Sequence, residues 1–503
     1  MEQRCFEVAE RAAVLVAKIA ELPSIASPHL PATQVAALLL RMCGVGKVSH
    51  ILRTNPPART RRASRLFDNA VLSSYEELAS LDPLTAEQTA QCQLPIRLGG
   101  RGLRSQEKVA AAAWIASWAQ CLSEVRSRTG LVQLDDIAAS DLPFAQSLIS
   151  AQSEIPPVGP GDEEMPEWTR LVHEPYQKLQ RVLSGRLDQK NFTTLVASLD
   201  VIGQARLRSC GGPLAGGWQT ASPMRPTERL DDREYCLICR YLLGQDVTCD
   251  GSACCNTRTS RERRGERCSE QVCAQGQHRF RCAIGGGLIS RSASIEQTLQ
   301  AIYRECGYQV ARQVPVPEWD RFHWKCPSAA CASCGVASAP PQYCPSCGAA
   351  AESTREEAVL DLEVRGPEFP RLYVDVTVRH SLPACPSRLA AAARSAGAVN
   401  KEAEGDKRDR YPNDRVVWPA RAFAMETFGR VGISALRLLR KLARASSVSA
   451  ELADAEALPS RLLLQWGCRL SVALQRANVR NLHRCLGHSL VAAQRQQQLL
   501  EHL

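Results

Sequence analysis

Two Cys-x2-Cys pairs constrain this chain more than any other feature: Cys331-x2-Cys334 and Cys344-x2-Cys347, nine residues apart. Zinc takes four soft or borderline ligands in a tetrahedron, and two short pairs on facing turns supply them, which is the signature of a zinc ribbon. Cys326 is a spare thiol beside the set. Cysteine is abundant, 22 residues, and clustered rather than scattered. Clustered thiols become disulfides only along a secretory route. The opening run MEQRCFEVAERAAVLVAKIAELP is amphipathic and contains acids, without the charged start and continuous apolar stretch of a signal peptide. No window approaches ~18 unbroken apolar residues. The expectation is therefore structural Zn²⁺ at Cys331, Cys334, Cys344 and Cys347, and no membrane partner.

A second cluster lies upstream. Cys268-x4-Cys273-x4-His278-x3-Cys282 has the count and mix of a small zinc knuckle, in which the metal orders a loop too short to have a core. Cys249, Cys254 and Cys255 are alternative ligands. Cys236 and Cys239 sit in a helical pattern (DREYCLICRYLLG) and read as core-facing thiols.

At 503 residues the chain has room for two to four domains. Residues 1–153 read as helical, with apolar positions at helical spacing in VAALLLRMCGVGKVSHIL and KVAAAAWIASWAQCLSEV. The stretch 154–168 (EIPPVGPGDEEMPEW) reads as a linker. Residues 169–245 read as a helical connector and 246–284 as the knuckle region. Residues 285–440 follow an α+β order, with the ribbon inserted at 326–350, and 441–503 read as terminal helices. The expected fold class is mixed: an all-α region, then an α+β domain. The net charge of +10 favours an acidic partner, nucleic acid above all. Arg53, Arg59, Arg61, Arg62 and Arg65 make a basic loop able to follow a phosphate backbone, or a solvated charged loop.

Two strand-like runs, AVLDLEVRG and RLYVDVTVRH, show period-2 alternation. It puts Leu372, Val374, Val376 and Val378 on one face, with Asp375, Thr377 and Arg379 on the other. In the first run Asp361 and Glu363 share one face, and Leu360, Leu362 and Val364 the other. Paired as a hairpin across GPEFP, the runs bring Asp361 and Asp375 together. Two adjacent carboxylates repel unless a cation lies between them, and Mg²⁺, which takes oxygen ligands, suits that position. Downstream, helical spacing aligns Asn400, Glu404, Lys407 and Tyr411. Lys407 is the first candidate for a catalytic lysine and Lys401 the second. The alternative is two unrelated edge-strand acids and a solvated helix.

AVLDLEVRG, LYVDVTVRH and AEGDKRDRYP together resemble the restriction-like endonuclease domain of site-specific non-LTR retrotransposons, a branch of the PD-(D/E)XK fold. The knuckle followed by HRFRCAIGGGLISR is similar to the junction ahead of that nuclease. SHILRTNPPART and QCQLPIRLGGRGLRS resemble the thumb and connection segments of the same family's reverse transcriptase. The resemblance implies metal ligation by Asp361 and Asp375, catalysis by Lys407 with Tyr411 as its neighbour, and an accessory acid at Glu296, which is otherwise a solvated glutamate. It also implies DNA and element RNA as partners, and a nuclear location. The chain departs from the pattern in three places. Leu360 replaces a proline, Thr377 stands where other members place a strand lysine, and Ser292-Ala293 stand for His-Asn. Paired aspartates occur only at Asp135-Asp136 and Asp231-Asp232, both after the thumb-like stretch. The expected protein is thus the C-terminal part of such an element, nicking DNA with Mg²⁺ and lacking polymerase activity. The competing expectations are a non-catalytic zinc-containing nucleic-acid-binding remnant and a zinc-ribbon scaffold for protein partners.

Overall fold

Local rules decide most of the helices. The segment Asp232–Leu243 starts with a capping box between Asp231 and Glu234 and stops at Gly244, whose φ is +74°. The helix Pro57–Leu78 opens with proline at its first position, where no amide partner is lost. The turn before the Ala-rich helix needs glycine at position 100: a Cβ there would stand 1.9 Å from the Leu94 carbonyl oxygen. The computed structural model describes residues 2–27, 30–130, 145–157, 178–247, 255, 268, 270–328, 331, 334–448 and 458–486. They form a mixed α/β protein of two compact units, one comprising residues 1–212 and 219–251, the other 213–218 and 252–503.

Unit 1 is helical throughout its described residues. The helix Gln106–Thr129 buries Ala110, Ala111, Ala112, Ala113, Ala116 and Ala119, and these small side chains let neighbouring helices approach closely. Its start is capped twice. Ser105 accepts from Lys108 N at 3.2 Å, and the buried carboxylate of Asp68 accepts from Ser105 Oγ (2.6 Å), Gln106 N (2.8 Å) and Glu107 N (3.2 Å). Cys239 is a core thiol as expected, receiving the Tyr75 hydroxyl at 3.2 Å, while Cys236 is half-buried. The run Ala32–Thr54 is long and apolar enough to cross a membrane, with mean hydropathy 1.5. Here it breaks into successive α, π and 3₁₀ turns and buries Val48, Ile51 and Leu52 in the unit.

Two expected boundaries are corrected. Residues 154–168 do not separate compact bodies: the helix Ala145–Glu154 and the later helix Leu179–Ser198 pack into one core around Trp114 and Leu122. Residues 158–168 lie outside the described ones, as do Asp135 and Asp136. The division falls instead at residue 251, next to the first metal-ligand cluster. The described residues of the segment 441–503 are not a separate body, because they complete the core of unit 2.

Unit 2 is built on a four-stranded sheet of order β1-β5-β6-β7: β1 (Gln309–Pro315), β5 (Val359–Arg365), β6 (Leu372–Arg379) and β7 (Ala420–Glu426). The first three run antiparallel, and β7 joins parallel to β6. A parallel neighbour needs a crossover. It is made by α2 (Pro386–Arg394) and α3 (Ala398–Arg410). On the opposite face α1 (Gly287–Glu305), α4 (Ile433–Val448) and α5 (Leu458–Leu486) bury Leu299, Leu439 and Trp466 against Leu362, Val364, Val374, Val376 and Val378. Between β1 and β5 the chain leaves this sheet for a second one, order β3-β2-β4: β2 (Arg321–Lys325), β3 (Cys334–Ala337) and β4 (Glu352–Glu356). The insertion is thus longer than the expected 326–350.

The Asp68 cap gives a test of unit 1. Asp68→Ala leaves three donors without their acceptor and should lower unfolding free energy by about 2 kcal/mol. Chemical denaturation of the two proteins measures it, and a loss under about 0.5 kcal/mol would contradict the assigned role.

Candidate active site and metal centres

The hairpin register does what strand alternation predicts. Leu362 pairs with Val374 and Val364 with Leu372, so one step further Asp361 and Asp375 stand opposite each other. Asp361 Oδ2 accepts from Val376 N at 2.7 Å, and its Oδ1 accepts from the Gln313 side chain at 3.2 Å. Gln313 has φ +50°, a left-handed conformation that costs a non-glycine residue energy and recurs at functional sites. Strand alternation gives no hint of it. Leu360 is not in the main core with Leu362 and Val364, but in a small cluster with Val316, Trp319, Tyr373 and Tyr411.

Asp375 is buried. Lys407 Nζ lies 2.7 Å from its Oδ2, an ion pair, yet the angle falls short of a hydrogen bond and no aligned donor satisfies that oxygen. Burial, then the charge of Asp375, push the Asp361 carboxyl up to about 6. Burial and the same charge raise the Tyr411 phenol, which keeps its proton. Of the two candidate lysines, Lys407 meets the carboxylates, whereas Lys401 is exposed. Asn400 and Glu404 face inward and serve structure: Asn400 donates to the Arg430 carbonyl (3.0 Å) and Glu404 accepts from Ser434 N (2.9 Å). Glu296 is not solvated. It is 3% exposed and pairs with Arg312 at 2.5 Å, and Arg312 also feels the charge of Asp361.

Asp375, Lys407 and Tyr411 open into a cleft of about 540 Å³. Its walls also carry Arg408, Arg421, Arg437 and Lys441. Five cations against the two acids Asp375 and Glu404 favour an anionic ligand, and apolar Phe369, Leu372 and Leu438 complete the wall.

The arginines Arg53, Arg59, Arg61, Arg62 and Arg65 do not form a basic loop. They lie on the helices Ser49–Thr54 and Pro57–Leu78. Arg53 donates to Gln180 (3.0 Å) and Gln120 (2.5 Å), Arg61 pairs with Glu107 and Glu154, and Arg65 with Glu107 at 2.8 Å. Arg62 stacks on Phe6, 4.6 Å from the ring centre. Arg59, Arg61, Arg62 and Arg65 remain exposed on these helices. The acids that meet them are far away in sequence, which is why spacing gave no sign.

Two groups of side chains can each hold zinc. In the first, Cys255, Cys268, His278 and Cys282 are all buried with their ligand atoms within 4.8 Å of one another. Cys255 and Cys282 sulfurs are 3.8 Å apart, and Cys268 Sγ is 3.3 Å from His278 Nε2. Bonds of ~2.3 Å in a tetrahedron put sulfurs ~3.8 Å apart, so the spacing fits the ion. Burial lowers the His278 pKa and keeps the ring neutral, as a ligand must be. Cys273 is not in the group. It is exposed and its sulfur accepts from Gln277 N at 3.3 Å, at the start of a short helix. Cys255 takes its place; Cys249 and Cys254 lie outside the described residues.

The second group is Cys326, Cys331, Cys344 and Cys347. Cys326 and Cys347 sulfurs are 3.4 Å apart, Cys331 and Cys344 3.7 Å. Cys334 is the expected ligand that drops out: it begins β3, pairs with Lys325 across the strands and is exposed. Cys326, directly after β2, replaces it. At Cys344 burial opposes ionisation, but amides of Ser346 and Cys347 and the thiols of Cys331 and Cys347 outweigh it, bringing the thiol down to about 6.

No family model matches the chain, and no curated protein matches it.

Two measurements follow from these geometries. The purified chain should hold two zinc ions, and Cys331→Ser or Cys268→Ser should each leave one, while Cys334→Ser and Cys273→Ser keep both. Elemental analysis decides, and loss of zinc from Cys334→Ser would restore the sequence-based ligand set. The second concerns Asp361. Its folded pKa is raised, so the folded form binds the proton more tightly than the unfolded chain does, and stability falls as pH rises from about 4 to about 6. Without divalent ions Asp361→Asn should melt above wild type at pH 7.5, with the gap closing by pH 4. A gap independent of pH would show that Asp361 is not strained by its surroundings.

Proposed function

We propose that unit 2 is a Mg²⁺-dependent endonuclease of the restriction-like kind that nicks DNA, and that the chain derives from a non-LTR retrotransposon. The observation that carries this reading is the convergence of Asp361 and Asp375 from adjacent strands with Lys407 set 2.7 Å from Asp375. Asp361 and Asp375 would hold the metal. The fit rests on the unsatisfied, buried Oδ2 of Asp375 and on the carboxyl of Asp361, which burial and then the neighbouring charge keep from ionising at its usual pH. When bound, Mg²⁺ offsets the paired negative charge and polarises a phosphodiester.

The remaining work falls to side chains. Lys407, released from its pairing with Asp375, is placed to offset charge that develops on the phosphate during attack by water. Tyr411, a protonated phenol beside the same carboxylate, can donate a hydrogen bond to a phosphate oxygen. Arg408, Arg421, Arg437 and Lys441 suit a polyanion running through the cleft, since phosphate contacts set position and register. Glu296, held by Arg312 next to Asp361, is a positioning acid in this scheme. A nuclear location and contact with element RNA belong to the same proposal, and no polymerase role is included.

The full chain incubated with supercoiled plasmid and Mg²⁺ should convert it to open circles. Asp375→Ala should abolish the conversion, and Lys407→Ala should slow it by on the order of 10²-fold, with DNA binding retained in both. Equal nicking by wild type and Asp375→Ala would sink the assignment. Binding of DNA without Mg²⁺-dependent nicking by wild type would favour the zinc-containing, non-catalytic remnant.

A further inference from the structure

The catalytic lysine sits on the poorly anchored half of its helix. In α3 the buried side chains are Val399, Asn400 and Ala403, all in the first two turns. From Glu404 onward the helix is tied by the Glu404 bond to Ser434 N and by a half-exposed ion pair, Arg379 with Asp406 at 2.6 Å. Exposed pairs of that kind hold a helix only weakly. Lys407 nevertheless has to be held to a fraction of an ångström beside Asp375.

The four-cysteine insertion reaches this same helix end. Arg321 Nη2, at the start of β2, donates to the Asp409 carbonyl at 2.7 Å. Arg410 Nη1 donates to the Trp319 carbonyl at 2.5 Å, and its Nη2 meets Glu356, the last residue of β4, at 3.2 Å. The other oxygen of Glu356 pairs with His323 at 2.6 Å. Trp319 Nε1 donates to the Pro412 carbonyl at 2.9 Å, and its ring packs on Tyr411 at 5.4 Å and Tyr373 at 5.6 Å. The opposite ends of the same strands belong to the cysteine group: β2 runs directly into Cys326, and β4 follows the turn of Cys344 and Cys347. Strands of five residues span about 17 Å, with ligands at one end and the helix clamp at the other. Among the described residues the second sheet joins no hydrophobic cluster, and every residue of β4 is exposed. Its shape therefore depends on the metal.

We propose that the insertion, ordered by zinc on Cys326, Cys331, Cys344 and Cys347, positions Lys407 and Tyr411 through Arg321, Arg410, Trp319 and Glu356. Zinc thereby governs cleavage chemistry from a site that touches neither Mg²⁺ nor DNA at the reacting phosphate. The catalytic part of this inference rests on the nuclease reading, while the mechanical coupling does not.

Hydrogen exchange read by mass spectrometry tests the coupling on the full chain. Cys347→Ser, with one zinc fewer, and Arg410→Ala, with both zincs retained, should each make amides of 404–411 exchange about tenfold faster while those of β6 stay protected. If Cys347→Ser loosens β6 as well, it has unfolded, and Arg410→Ala alone decides. Unchanged protection at 404–411 in Arg410→Ala overturns the proposal. In nicking assays both variants should lose about 100-fold in kcat with KM for plasmid unchanged. A rise in KM with kcat intact would make the insertion a DNA-binding module instead and overturn the positioning role. A wild-type chain that does not nick refutes the nuclease reading, and the exchange result still decides the coupling.

Discussion

Two carboxylates that burial forces together are the constraint around which unit 2 is arranged. Asp361 and Asp375 face each other because the hairpin register leaves no choice: sliding one strand by a residue would turn Val374, Val376 and Val378 to the wrong side. The hydrophobic core therefore fixes the polar site. Everything around the pair then answers its charge. Lys407 comes from α3, an amide from Val376, and an amide side chain from Gln313 at a left-handed φ that only a well-packed sheet can sustain. Burial, and then the charge of Asp375, still raise the carboxyl of Asp361. A fold optimised for stability alone would put an amide at one of the two positions.

What was legible in the sequence follows the range of the interactions. Strand alternation is local, so the faces of β6 could be read directly, and Lys407 could be placed on its helix by spacing, with Tyr411 falling just past the helix end. The cap at Asp231 and Glu234 is equally local. The boundary at 154–168 failed because proline and acid content reports chain flexibility and says nothing about contacts between distant helices. Gln313 could not be foreseen, since its strain depends on pairing with β5. Glu296 looked solvated because its partner Arg312 lies on a strand whose approach to α1 only the folded sheet reveals.

The metal groups show the same limit in sharper form. Spacing correctly marked where four ligands gather and chose one wrong cysteine in each group. Cys334 and Cys273 stand at spacings that suit a knuckle, but a tetrahedron is closed by whichever sulfur the backbone delivers. β2 ends at Cys326 and delivers it, while Cys334 is committed to strand pairing with Lys325. Cys255 reaches the first group across a gap of twelve residues, and its amide is bound to the Glu270 carbonyl at 2.9 Å. Short-range pairs fix where a ligand turn lies, and long-range strand geometry fixes its fourth member.

Charge pairing also shapes two surfaces that composition treats alike. The arginines of the helix Pro57–Leu78 and the cations of the unit 2 cleft are both dense, yet the former spend their donors on Glu107, Glu154 and aromatic Phe6. Carboxylates already lie within 4 Å of Arg61 and Arg65. In the cleft an anion instead meets a site whose cations outnumber its acids. Two of those cations are themselves paired, Lys407 with Asp375 and Lys441 with Glu368. The excess of cations in the cleft favours an anionic ligand there, although the arginine cluster is the more conspicuous feature of the sequence.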